Sequence, residues 1–110
     1  MKVIVAFIQP FMAQRVVDAL HRVDRLSGAT FTRVRGFGRE RAAGATEEEL
    51  TGTTARVRVE AIVPDDLEAD VVTTIRDAAR TGRKGDGKIY VSPVMRVVRI
   101  RTGEQDIAAV

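Results

Sequence analysis

The chain has no cysteine, one histidine (His21) and one tyrosine (Tyr90). Without cysteine, disulfide scaffolds, thiol nucleophiles, zinc ribbons and iron–sulfur centres are excluded. A single histidine cannot assemble a histidine-based metal site or a histidine-centred catalytic triad within one chain. No apolar run approaches the ~18 residues of a membrane span. The opening Met1–Pro10 stretch is too short for a signal peptide, so a cytoplasmic protein is expected. Charge of one sign is also in short supply. The 18 basic residues, fifteen of them arginine, face 15 acids, which leaves +3 and a sequence pI near 9.9. The arginines are scattered, so charge alone does not imply a nucleic-acid partner. These absences favour binding over catalysis.

What is present fits one domain of 110 residues with one core. Val3 to Ile8 is apolar on both faces and reads as a buried strand. Pro10 ends it and can open a helix. Met12, Val16, Ala19, Leu20, Val23 and Leu26 follow at spacings of three and four, predicting a helix of about four turns closed near Ser27 and Gly28. Residues 29–35 are rich in β-branched side chains and predict a second strand. Residues 36–54 follow neither period and carry four glycines and the acidic run Glu47, Glu48, Glu49. Loops of that length in so small a domain are usually functional or mobile.

Arg56 to Val63 alternates charged and apolar residues and predicts a third strand. Asp65 is the expected N-cap of a second helix, with Leu67, Val71, Ile75 and Ala78 on its inner face and Thr81-Gly82 at its end. A glycine-rich turn, 82–88, leads into Ile89-Tyr90-Val91. Val94 to Ile100 is expected to continue as the last strand or strand pair. The order β-α-β-loop-β-α-β predicts an α+β, ferredoxin-like βαββαβ sandwich with both helices on one face. Arg58, Glu60 and Arg96 are expected on the open face, where they would need partners from another subunit.

Gly85-Asp86-Gly87-Lys88 carries the clearest chemistry: two glycines admit close approach of an anion and the lysine adds a point charge. The Walker spacing is absent. Arg99 and Arg101, two apart on a presumed strand, would share a face and could fork onto one phosphate chain. Arg35-Gly36-Phe37-Gly38 opens like an RNA-recognition signature but continues with Arg39 and Glu40. Four phenylalanines and one tyrosine also supply a stacking platform poorly, so RNA binding is not expected.

Gly36-Phe37-Gly38-Arg39 before a long loop, Thr81-Gly82 with Gly85 to Ile89, and Val98 to Glu104 together closely resemble the P-II (nitrogen regulatory) signal-transduction family. Pro10-Phe11, Pro64-Asp65-Asp66 and the tail Ala108-Ala109-Val110 extend the resemblance from end to end. It implies a homotrimer of single domains, 1–110, with an effector loop at about 36–55, a phosphate-binding turn at 82–88 and a C-terminal strand and tail at 94–110. It further implies ATP, ADP or AMP in clefts between subunits, with no prosthetic group. Thr30 and the backbone around Ile62 would hold the base, with Gly36, Gly38 and Arg39 beside the nucleotide. Gly85, Asp86, Gly87 and Lys88 would cradle the phosphates, and Arg99 and Arg101 would reach them from the neighbouring subunit. The implied role is control of a transporter or metabolic enzyme, probed through the loop, without catalysis, and with membrane contact only through a transporter.

The chain departs from the family pattern at the second-ligand positions Gln9, Glu40 and Arg56. Where the family has a glutamine that supports 2-oxoglutarate, Glu40 places an acid, which could reach Mg²⁺ but repels a dianion. Arg56 replaces a lysine, keeping charge but not shape. The loop has no tyrosine, so modification of a loop tyrosine is excluded. A sensor of another small ligand such as bicarbonate, or a structural or metal-tolerance trimer of the same fold, are the alternative readings.

Overall fold

A computed structural model describes residues 1–38 and 52–110. Arg39, Glu40 and most of the expected effector loop lie outside the described residues. The elements are β1 (Lys2–Ile8), α1 (Ala13–His21), β2 (Thr30–Gly36), β3 (Thr54–Val63), α2 (Glu68–Ala79) and β4 (Lys88–Pro93). The strands form one antiparallel sheet in the order β2-β3-β1-β4. This is the ferredoxin-like α+β arrangement that the alternation of elements predicts.

Period two sorts each strand. Ile4, Ala6 and Ile8 of β1, and Val57, Val59, Ala61 and Val63 of β3, are buried on one face. Val16 and Leu20 of α1, and Val71, Ile75 and Ala79 of α2, close over them to make the core. Ala79 rather than the expected Ala78 is the buried alanine at the end of α2.

Four local expectations are corrected. α1 stops at His21 rather than near Ser27 and Gly28. The chain leaves the helix through a turn in which Arg25 has φ of 70°, and its guanidinium donates to both carboxylate oxygens of Asp66 at 2.9 and 3.1 Å. Val23 and Leu26 still pack on the core, so their spacing signals inward side chains but not helix. Asp65 does not cap α2. Its carboxylate accepts from the amino terminus at 2.7 Å and pairs with Lys2 at 3.4 Å, which spends it on β1.

The segment from Val94 to Ile100 does not extend β4. β1 runs out where Lys2 faces Pro93, and one further bond, from the Val94 N–H to the Met1 carbonyl at 3.0 Å, uses the last residue of the chain start. The chain instead folds back on itself: Val98 bridges Gln105, and the Arg99 N–H donates to Glu104 at 2.9 Å. A short 3-10 turn, Asp106–Ala109, ends it. On the open face Arg58 donates to Glu60 at 2.7 Å within β3 itself, and Arg96 lies outside the sheet. Arg58 and Glu60 are thus paired within one chain, and Arg96 does not share their face.

Candidate functional site: a groove where β2 ends and β3 begins

β1 and β2 end, and β3 and β4 begin, at the same end of the sheet, and there a groove of about 730 Å³ opens on the uncovered face. Gly36 and Gly38 line it from the loop side, Gly85, Gly87 and Lys88 from the turn before β4, and Arg56 from β3. The groove thus unites residues separated by some fifty positions. Arg35, Arg56 and Lys88 bring positive charge, and no carboxylate is among its described lining residues. Its described lining is therefore net positive.

The turn is held in advance. Gly82, Gly85 and Gly87 all have positive φ (85°, 91° and 105°), a conformation that costs a glycine little. The Asp86 carboxylate accepts from the Thr81 and Gly82 N–H groups at 2.8 and 2.9 Å and from the Thr81 hydroxyl. Burial pushes the Asp86 carboxyl up, but the Thr81 hydroxyl, the two N–H groups and the Arg80 charge together hold it below its ordinary value. The residue expected in the phosphate cradle thus turns its carboxylate back to fasten the turn, and it does not line the groove.

Gln9, read from sequence as a second-ligand position, is buried beneath the same turn and donates its side-chain N–H to the Gly85 carbonyl at 2.7 Å. Arg56 is placed in the groove wall, with one guanidinium N–H given to the Ala55 carbonyl at 2.8 Å.

Thr30, Ile62 and Arg99 gather elsewhere, in a second groove of about 450 Å³ with Gly28 and the C-terminal Val110. Arg99 pairs with Glu104 at 3.8 Å. Arg101 stands in the turn after Arg99, so the two do not share a strand face as expected. Sequence reasoning missed Phe7, Val34, Phe37, Thr54 and Tyr90 as groove residues. The cross-strand pairing of Phe7 with Lys88, and its edge contact with Tyr90 at 5.8 Å between centroids, brings two of them in. Only knowledge of strand order would have revealed that.

The molecule is thus a ferredoxin-like α+β domain with a positively lined groove where β2 ends and β3 begins. The comparisons make it specific. The family model described as Nitrogen regulatory protein P-II matches residues 1–104. Nitrogen regulatory protein P-II 1 of Escherichia coli (strain K12) is 46% identical over 115 aligned residues, covering 100% of both chains. Nitrogen regulatory protein P-II of Azospirillum brasilense is 44% identical over 110, covering 96% of both, and that of Klebsiella oxytoca 45% over 115. The chain belongs to the P-II family, and is a P-II signal-transduction regulator of nitrogen metabolism. No helix among the described residues is long and apolar enough to cross a membrane.

Proposed function

We propose that this regulator binds an adenine nucleotide, ATP, ADP or AMP, in clefts between the subunits of a homotrimer. The phosphates lie against Gly85, Gly87 and Lys88, beside Gly36 and Gly38. The base is held by Thr30 and the backbone at Ile62 of the adjacent chain, which share a groove with its Arg99, and Arg101 arrives from that same chain. Nucleotide state is passed through the loop at 36–55 to a transporter or metabolic enzyme in the cytoplasm, without catalysis.

One observation carries the split site. Thr30 and Gly36 stand at opposite ends of β2, roughly 20 Å apart at about 3.4 Å per residue. That separation between the glycines at the loop end and the threonine at the other end of β2 supports a site made of one groove from each of two chains.

Calorimetric titration with ATP and AMP tests the assignment. Lys88→Ala and Arg101→Ala are each expected to weaken ATP on the order of ten- to hundredfold, and AMP less, since both address the outer phosphates. Unchanged ATP affinity in both variants removes the assignment.

A further inference from the structure

Gln9 is the one buried polar side chain among the described residues, 6% exposed in a core that is otherwise apolar. It lines neither groove. Its backbone is fixed by its own surroundings. The Gln9 carbonyl accepts from the Met12 N–H at 3.0 Å, and Pro10 restricts the residue before it to the extended conformation seen here, φ −65° and ψ 136°. The side chain thus leaves from a fixed point. Its amide nitrogen donates to the Gly85 carbonyl, 76 positions further on, at 2.7 Å.

That bond sets the orientation of one peptide in the wall of the positive groove. Gly85 lines the groove, and the peptide joining it to Asp86 carries an acceptor at its carbonyl. Turned outward, that acceptor would repel a phosphate. The local chain permits the rotation: Gly85 has no β-carbon to oppose it, and aspartate is among the residue types that tolerate the positive φ it would impose. The Asp86 carboxylate fastens Thr81 and Gly82 and does not touch this carbonyl. A carbonyl held inward without a donor is costly, so the inward orientation depends on the hydrogen bond from Gln9.

We propose that Gln9 is a positioning residue for the phosphate turn: by holding the Gly85 carbonyl inward, it keeps an acceptor out of the groove that takes the nucleotide phosphates. Gln9 acts through Gly85 and need not touch any ligand. This role rests on the nucleotide reading above.

The test is calorimetric titration of the full chain with ATP. Gln9→Met keeps the length of the side chain and removes the donor. It is expected to weaken ATP about tenfold, and to move the NMR shift of the Gly85 carbonyl carbon in the ligand-free protein. Gln9→Glu can donate to that carbonyl only when its carboxyl is protonated. Referred to the unaltered protein at the same pH, its ATP affinity should be about tenfold low at about pH 8 and recover to within about threefold at about pH 5. Gln9→Met should stay low at both. Should Gln9→Met fail to fold, the two Gln9→Glu titrations decide alone. Unchanged ATP affinity in folded Gln9→Met, or a Gln9→Glu deficit that persists at the lower pH, overturns this role and leaves the nucleotide reading standing. Absence of ATP binding by the unaltered protein overturns both.

Discussion

A β-carbon placed on Gly87 would stand 1.7 Å from the carbonyl oxygen of Phe7, and the residue sits at φ of 105°. Backbone meets backbone there, so no rotamer change relieves the contact. Gly87→Ala is expected to destabilise the fold by about 3 kcal/mol or more, since both a clash and a strained dihedral are added. Gly103 makes the control: its φ is 73° but nothing lies within 4 Å of the added carbon. Gly103→Ala should cost only about 1 kcal/mol. Urea denaturation of the pair separates the two contributions, and equal losses would show that the Phe7 contact can be relieved. Asp86 is the other single residue on which the turn depends. Its carboxyl is held below 3.8, so the stability it confers is present above that value and is lost as pH falls through the lowered folded value. Asp86→Asn is expected to flatten part of the acid limb of a stability–pH profile below about pH 4. An unchanged acid limb would mean that the clasp contributes nothing.

At the scale of elements, α2 is pinned by its aliphatic face and by the 3-10 turn, Asp65–Leu67, that leads into its first turn. Ile75 is 1% exposed, and Ile75→Ala should destabilise by about 2–5 kcal/mol, against about 1 for Ile75→Val. Thermal or denaturant unfolding of both variants checks the ordering, and similar small losses would mean that the core collapses into the void. The first turn was the less legible part. Pro64-Asp65-Asp66 reads as a capping sequence, yet Asp65 serves the amino terminus and Asp66 serves Arg25, partners far away in the chain. Local pattern reports a residue's neighbours in sequence, and these acids are claimed by neighbours in space. The same reason explains α1, where Val23 and Leu26 keep helical spacing through a turn, and Val94 to Ile100, where β-branched composition meets no free strand. The two buried faces were legible because burial imposes a period on every element that touches the core. The groove was half legible: glycine and lysine spacing marks the turn, whereas Phe7 and Tyr90 enter only through strand order.

At the scale of the molecule, the separation of the two grooves makes an assembly test possible. Lys88→Ala spoils one groove and Arg99→Ala the other, so each variant alone should bind ATP weakly. If each site joins one groove from each of two chains, co-refolding equal amounts leaves about one quarter of the sites with both halves intact. Tight ATP binding at about that stoichiometry is the expected outcome of a titration on the mixed sample. Simple addition of the two weak isotherms would place the whole site within one chain.

Gly36 faces Thr54 in the register of β2 and β3, so both ends of the intervening segment are fastened by the sheet itself. The entropy of closing that ring depends only on the logarithm of its length, and doubling the length adds only about 0.6 kcal/mol. Insertions or deletions between these anchors leave the buried faces of the sheet untouched. Beyond Gly38, mutation can therefore revise the length of this segment at little thermodynamic penalty, while the groove keeps its residues. If the segment selects the target and the groove the ligand, as proposed, the two choices can evolve on separate clocks.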